Sequence, residues 1–329
     1  MTTPGMRHLF IYDPPPAARD VEKNPDLLPH VDYVRRAVAH LSAFKTDDPA
    51  QAACFVVPVN LIHFQFHKPQ IDPWDFLKNL PHLGRGPHVL WATGDYGQRK
   101  RGPYESFHEG RAYPHLYEWL DERFRLVLFE STPEVSPADI PVLPYVLNPG
   151  RPAWWERLLT PQPPARDLLY SFSGALSYAP LLPEAHIRGG VFTRMAGHGK
   201  DYFIGSPATA RKRFGRRGSY RALFERSVFT LSPAGFGRWT FRLGEALHYG
   251  SIPVVIADDY VLPHADKIPW DHLIIRCPEK DAAALPDRLR SIGKDEIRSR
   301  QQKIAEYRPH FTEAGVHAML AHALVGTPG

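Results

Sequence analysis

Hydrophobic and polar positions along the chain follow two alternating periods, and this alternation predicts an α/β fold. Short apolar runs such as AACFVVPVNLI (52–62) and IPVVIA (252–257) are typical of buried strands. Apolar residues at helical spacing predict helices in YVRRAVAHLSAF (33–44), DPWDFLKNLPHL (72–83) and TFRLGEALHYG (240–250). Because strands alternate with helices in both halves of the chain, we expect two α/β domains.

One segment interrupts the alternation. WWERLLTPQPPARD (154–167) combines prolines with charges, which is typical of a connection between domains. We therefore expect an N-terminal domain at 1–160 and a C-terminal domain at 161–329, whose last helix can pack back on the N-terminal domain. A chain of 329 residues has the length of two domains of roughly 150 residues each.

Charge narrows the classes of partner. The formal net charge is +5, and such a mild excess suits anionic small ligands, phosphorylated carriers or an anionic membrane surface. It is too diffuse to predict binding to nucleic acid, so no nucleic acid is expected. The densest basic run, RKRFGRRGSYR (211–221), has two interpretations. It is either a surface for a lipid-phosphate-linked acceptor, a membrane or nucleotide phosphates, or a solvated loop before a helix.

Cysteine usage and hydropathy predict the compartment. Cys54 and Cys277 lie in or beside apolar runs, which predicts buried thiols in a reducing environment. No run approaches the roughly 20 apolar residues of a membrane span, and the N-terminal segment has too few apolar residues for a signal peptide. We expect a cytoplasmic protein, with peripheral contact to the inner face of the membrane as an option.

The segment 227–270 carries the strongest functional signal. It runs as strand SVFTLS, glycine-bearing turn PAGFG, helix TFRLGEALHYG, strand IPVVIA and an acidic DDY. Ligands of parallel α/β sheets bind outside the carboxyl ends of the strands. The glycines, arginines and carboxylates expected there suit a phosphate-bearing ligand with a sugar attached.

This segment resembles the exostosin-like glycosyltransferases, family GT47. Weaker matches upstream are LLYSFSGA (168–175) and VLWATGDYG (89–97), so the resemblance extends over roughly half of the chain. The residues that carry the strong match are Ser227, Phe229, Leu231, Pro233, Gly235, Thr240, Arg242, Glu245, Ala246, Leu247, Gly250, Ile252, Pro253, Val254, Val255, Asp259, Tyr260, Leu262 and Pro263. Thr240 stands where the family has serine, which keeps the hydroxyl, and Ala234 replaces a frequent arginine.

The resemblance implies a fold and a reaction. The fold is the GT-B architecture, an α/β class in which two Rossmann-like domains face each other across a cleft. The C-terminal domain would hold a nucleotide-sugar donor, and transfer would be inverting and independent of a bound metal. Since the chain has no predicted span, it resembles a bacterial-type soluble member of the family.

The donor would lie on the C-terminal domain. Arg242, in the first turns of its helix, can supply counter-charge to a diphosphate, and Glu245, one turn along the same face, can accept both ribose hydroxyls. The alternatives are a solvated arginine and an intrahelical Arg–Glu pair. The full predicted donor-binding set is Gly174, Gly235, Arg238, Thr240, Arg242, Glu245, Asp258 and Asp259. The two glycines would admit backbone to the phosphates, and either could equally be an ordinary turn glycine.

An inverting transferase needs a general base. Asp95, in TGDYG at a strand end, is the first candidate and Asp13, at the end of RHLFIYD, the second; Glu105 and Glu109 are further options. No histidine or cysteine spacing matches a metal motif, so neither a metal nor a cofactor is expected.

The resulting hypothesis is a glycosyltransferase acting on a UDP-linked donor and an oligosaccharide or lipid-linked glycan acceptor, in assembly of capsule or lipopolysaccharide. The alternative is a non-catalytic glycan- or nucleotide-binding partner subunit of a polysaccharide synthase. A DNA-modifying glycosyltransferase ranks last, because no suitable interleaving of basic and aromatic residues occurs.

Overall fold

A computed structural model of the chain describes residues 7–16, 28–66, 70–94, 119–129, 138–147, 166–177, 187, 190, 192–235 and 237–326. The chain divides into two compact units. The first consists of Met1–Leu143 with Ala314–Gly329, and the second of Pro144–Glu313. The predicted domain boundary at 160/161 lies outside the described residues, as does most of the predicted connection 154–167.

The N-terminal unit is built on a parallel sheet. Its elements are β1 (His8–Ile11), α1 (Leu28–Leu41), β2 (Ala52–Asn60), α2 (Ile62–Phe66), α3 (Trp74–Leu77), β3 (His88–Ala92), β4 (Phe124–Leu128) and β5 (Ile140–Pro141). The five strands lie in the order β1-β2-β3-β4-β5, and each neighbouring pair is parallel. Buried aliphatic side chains of β2, β3 and β4, including Val57, Leu90 and Leu126, form the core between the sheet and its flanking segments.

The helix predicted over 72–83 is much shorter in the structure. Only Trp74–Leu77 is helical, with the Asp72 carboxylate accepting the Trp74 N–H at 2.9 Å. Pro81 disfavours helical backbone at Leu80, and turns occupy the rest of the segment. The predicted helix 33–44 is present as α1, which begins earlier, at Leu28, and ends in a 3-10 turn over Ser42–Phe44.

The second unit is built on a six-stranded sheet. Its elements are β6 (Leu168–Ser173), α4 (Phe192–Arg194), β7 (Gly197–His198), β8 (Tyr202–Gly205), α5 (Pro207–Phe214), α6 (Tyr220–Arg226), β9 (Ser227–Pro233), α7 (Phe241–Tyr249), β10 (Ile252–Ile256), α8 (Trp270–Leu273), β11 (Ile275–Cys277), α9 (Leu285–Ser291) and α10 (Lys294–Tyr307). The strand order is β11-β10-β9-β6-β8-β7, and every pair is parallel except the short β7 with β8.

This strand order contains a topological switch point. From β6 the chain proceeds to β8 on one side of the sheet, and from β9 it proceeds to β10 on the other. The carboxyl ends of β6 and β9 therefore lie side by side where the connections diverge, which is the usual ligand position in an open α/β sheet. Ser173 ends β6 and Pro233 ends β9.

The last helix, α11 (Glu313–Val325), is grouped with the N-terminal unit rather than with the elements that precede it. Its buried His317 lies 5.5 Å from the His40 ring of α1, measured between ring centroids. The predicted α/β fold class, with two units each built on a mainly parallel sheet, is confirmed. Cys54 and Cys277 are both buried free thiols, and burial raises their pKa values to about 12 and about 11.

Candidate functional site

The switch point of the second unit is occupied by an arginine from α7. One guanidinium nitrogen of Arg242 donates a hydrogen bond to the Ser173 carbonyl at the end of β6. The guanidinium carbon lies 4.3 Å from the centroid of the Phe172 ring and 5.8 Å from that of Tyr220. A positive charge is thus fixed at the sheet edge, between two aromatic faces that stabilise it.

The guanidinium of Arg242 packs directly against Gly174. A Cβ at position 174 would stand 2.3 Å from Nη2 of Arg242 and 3.1 Å from the Phe172 ring. The visible role of Gly174 is therefore to leave room for Arg242, and close approach of its backbone to a phosphate stays a prediction.

The start of α7 explains the placement of Arg242. Thr240 has extended backbone, is 9% exposed, and its Oγ1 accepts the N–H of Arg242 at 3.3 Å as the N-cap. At the other end Gly250 adopts φ 74°, the left-handed conformation that closes helices. The helix predicted over 240–250 is confirmed, and the visible role of the Thr240 hydroxyl is capping.

Glu245 lies one turn after Arg242 and carries a partner that the sequence did not indicate. Tyr220 of α6 donates its phenol hydrogen to Oε2 of Glu245 at 2.7 Å. Burial raises the pKa of Glu245, while the hydrogen bond from Tyr220 and the charge of Arg242 oppose that rise. The Glu245 carboxylate therefore lies near Arg242, and only its Oε2 takes part in the hydrogen bond with Tyr220.

Ser173 adds a buried polar atom to the same place. Its side chain is 5% exposed, and its Oγ has no hydrogen-bond partner among the residues that the structure describes. It lines a cavity of about 10 Å³ together with Phe172, Tyr220 and Arg242. A buried hydroxyl without a partner marks a position for a water molecule or a ligand atom.

Two other predicted residues meet through a glutamate that sequence reasoning missed. Arg238 pairs with Glu279 at 3.2 Å, and Asp258 accepts the backbone N–H of Glu279 at 3.1 Å. Glu279 is 7% exposed and also accepts the Ile187 N–H at 2.8 Å. Burial raises the pKa of Glu279; the Ile187 N–H and the charge of Arg238 oppose that rise, and the charge of Asp258 adds to it. Arg238 and Asp258 thus hold a loop in place, and any contact with donor remains a prediction for both.

Gly235 and Asp259 have fewer constraints. A Cβ at Gly235 would meet no atom within 4 Å, and its N–H donates to the Gly237 carbonyl at 3.0 Å. Asp259 is exposed and adopts φ 57°, an uncommon conformation for a non-glycine residue that is often found at functional sites. Their predicted ligand roles stay predictions.

A comparison with protein families shows to which family this chain belongs. A family model described as the Exostosin GT47 domain matches residues 11–292. The chain belongs to this family. The GT47 family predicted from the segment 227–270 is therefore confirmed, and the match includes both units.

Plant proteins are among the relatives of this chain. A probable glucuronosyltransferase of Oryza sativa subsp. japonica is 46% identical over 87 residues, which is 26% of this chain and 20% of the relative. The probable beta-1,4-xylosyltransferase IRX10L of Arabidopsis thaliana is 27% identical over 92% of this chain and 75% of its own length. The chain thus matches about one fifth of the length of the first rice relative.

Solved structures with a similar fold share little sequence with this GT47 chain. The spinosyn rhamnosyltransferase SpnG has 15% identity and a TM-score of 0.37 over 94% of this chain and 85% of its own. The calicheamicin glycosyltransferase CalG4 has 13% identity and a TM-score of 0.33, over 96% of this chain and 89% of CalG4. Neither likeness bears on the chemistry of this GT47 site.

The candidate bases of this GT47 protein belong to the other half of the chain. Asp13 is exposed, lies two residues after the end of β1, and lines a cavity of about 330 Å³ in the N-terminal unit. Asp95, Glu105 and Glu109 lie outside the described residues. The identity of the general base stays a prediction.

Within the described residues, no three His, Cys, Asp or Glu side chains come together as ligands for a metal ion. The described helices include none with both the length and the apolar content needed to cross a membrane. The expectations of no metal and no cofactor stay predictions.

Proposed function

We propose that this chain is an inverting, metal-independent glycosyltransferase that binds a UDP-linked sugar at the switch point of its second unit. The observation that carries the proposal is Arg242, fixed over Gly174 at the carboxyl end of β6, with the Glu245 carboxylate one turn away. A guanidinium and a carboxylate in this order complement a diphosphate and the ribose attached to it.

The chemistry follows from where charge develops. A carboxylate base, Asp13 or Asp95, takes the proton of an acceptor hydroxyl, whose oxygen then bonds to the anomeric carbon. The bond from that carbon to the diphosphate oxygen breaks on the opposite face, and the diphosphate leaves with the electron pair. Arg242 and the N-terminus of α7 would stabilise the negative charge on this leaving group.

The sugar and the acceptor are part of the same proposal. Relatives named as xylosyl- and glucuronosyltransferases make UDP-xylose and UDP-glucuronate the first donors to test. The acceptor would be an oligosaccharide or lipid-linked glycan in the assembly of a cell-surface polysaccharide. Exposed cations of α5 and the turn after it, Arg211, Lys212 and Arg216, support peripheral contact with an anionic membrane. The buried free thiols support a reducing, cytoplasmic compartment.

Binding of UDP, GDP, ADP and CMP by isothermal titration calorimetry tests the donor site. We expect UDP to bind best, Arg242→Ala to weaken UDP at least tenfold, and Arg298→Ala, an exposed arginine of α10, to leave it unchanged. Glu245→Gln should remove the preference for UDP over 2′-deoxy-UDP, because the ribose hydroxyls lose their charged acceptor. Failure of all four nucleotides to bind would refute the proposal.

Release of UDP during incubation with donor and acceptor tests catalysis separately. Transfer that disappears in Arg242→Ala while the thermal unfolding midpoint stays unchanged supports a role in the leaving-group step. Tight UDP binding without turnover for any donor would favour the non-catalytic partner subunit instead.

A further inference from the structure

The N-terminal unit contains a cavity that the donor site does not use. It has a volume of about 330 Å³ and opens where β1 and β2 end, beneath α1. This volume lies at the lower end of the range for ligand pockets, and the carboxyl edge of a parallel sheet is where such ligands bind. All of its lining belongs to residues 11–63.

One wall of this cavity is apolar. Val31, Val34 and Val38 project from one side of α1, and Ile11 and Pro58 face them from the strands. Polar side chains, including Ser42, Asn60 and His63, complete the lining and can hydrogen-bond a sugar, but the apolar wall offers the hydroxyl groups of a sugar no partner. A hydrocarbon body, in contrast, gains about fourfold in affinity for each methylene group it buries.

The lining also contains two cations. Arg35 pairs with Asp32, and Lys45 lies 3.1 Å from Asp47, but the side chains of Arg35 and Lys45 are 69% and 47% exposed. Ion pairs exposed to this degree are weak, so both cations can exchange their partners for an incoming anion. A cavity with one apolar wall, polar side chains and two available cations complements an amphiphile that carries phosphate or carboxylate.

We propose that this cavity binds the hydrocarbon body of an acceptor that carries an anionic group, of the chemical class of a prenyl phosphate with its attached sugar. Asp13 lies in the same lining, so the bound acceptor would be next to a candidate base. This inference rests on the proposed function, because it names the acceptor class of that transferase.

Titration with geranyl phosphate tests the proposal, with geraniol and inorganic phosphate as separate arms. We expect geranyl phosphate to bind at least tenfold more tightly than geraniol, and inorganic phosphate not to compete. Equal binding of geranyl phosphate and geraniol would reduce the cavity to a non-ionic apolar site and overturn the proposal. Full competition by inorganic phosphate would overturn it as well, since an anion site alone would then explain the binding.

Variants of the cavity test where geranyl phosphate binds and whether the two cations hold its phosphate. Val38→Trp fills the cavity and should weaken geranyl phosphate at least tenfold, whereas Ala39→Trp, on the exposed side of the same helix, should not. The double variant Arg35→Ala with Lys45→Ala should bind geranyl phosphate no better than geraniol. Wild-type affinity in Val38→Trp would refute the location.

Binding of UDP to the same variants separates this inference from the proposed function. We expect every cavity variant to bind UDP like the wild type, because the donor residues belong to the other unit. An unchanged thermal unfolding midpoint then shows that the N-terminal unit of each variant is folded. Intact UDP binding without geranyl phosphate binding in the wild type would overturn the acceptor class alone. A wild-type protein that does not bind UDP would overturn the transferase proposal itself.

Discussion

Replacement of Gly174 by alanine tests the donor site without removing any charged group. The added Cβ would stand 2.3 Å from Nη2 of Arg242, whereas contacts of this kind need about 3.5 Å. The tip of Arg242 must therefore move by about 1.2 Å. Because that tip is the far end of a flexible side chain, the arginine can yield while the backbone of β6 stays in place.

The size of the effect follows from what the moved guanidinium loses. A shift of this length breaks its hydrogen bond to the Ser173 carbonyl and weakens its contact with the Phe172 ring. Hydrogen bonds to charged groups are worth about 1.5–3 kcal/mol and cation–π contacts about 0.5–2 kcal/mol. If the interaction of Arg242 with the bound diphosphate loses about 1.5–3 kcal/mol, Gly174→Ala lowers the affinity for UDP roughly tenfold to hundredfold.

Calorimetric titration of UDP and thermal unfolding, on the same preparations, measure the two consequences. Gly235→Ala is the matched control, since its Cβ would enter open space. We expect Gly174→Ala to lose affinity for UDP with a change in unfolding midpoint of only a few degrees, and Gly235→Ala to keep its stability. Wild-type affinity for UDP in Gly174→Ala would show that the position of Arg242 does not matter for donor binding, and the reasoning would fail.

Three further predictions concern stability. Arg166→Ala should lower the unfolding midpoint by about 6–10 °C, equivalent to about 3 kcal/mol, because its half-buried guanidinium donates to backbone carbonyls of both α6 and α7 and to that of Ser227; a midpoint equal to that of Arg298→Ala would contradict this. Gly218→Ala should destabilise by about 1–3 kcal/mol, because its Cβ would stand 2.1 Å from a backbone oxygen of α5, whereas Gly84→Ala, with open space around it, serves as the neutral control in urea denaturation. Burial lowers the pKa of His30 to about 4, so the unfolded chain binds the proton first and stability should fall, by up to about 3 kcal/mol, as pH drops from about 6.5 to about 4. The His30→Gln variant should lose this pH dependence. If the free energy of unfolding of the variant and of the wild type falls equally between about pH 6.5 and pH 4, His30 is not its source.

Much of the second unit could be predicted because its signals are local. The spacing of apolar residues over 240–250, a hydroxyl residue before the first turn and a glycine after the last all belong to one helix. Arg242 and Glu245 share one face of that helix by periodicity alone. The structure confirms the helix and places Arg242 where the strand order changes direction, a topology that no local pattern contains.

The partners in the site could not be predicted, because they are distant in the sequence. Tyr220 reaches Glu245 from a helix 25 residues earlier, and the Ser173 carbonyl lies 69 residues before Arg242. Arg238 and Asp258 meet through Glu279, in a turn that carries no motif. A single sequence shows which residues lie on one element, but not which elements meet.

The cavity in the N-terminal unit shows a second limit of periodicity. Val34 and Val38 belong to the apolar stripe of α1, and such a stripe usually predicts contact with the core. In the structure Val34 is 7% exposed and Val38 is half-buried, yet both line an open space. An apolar stripe lowers its free energy by leaving water, whether a neighbouring strand or a ligand covers it. The pattern therefore specifies that these valines need an apolar cover, and only the packing of β1 and β2 shows that the protein supplies part of it.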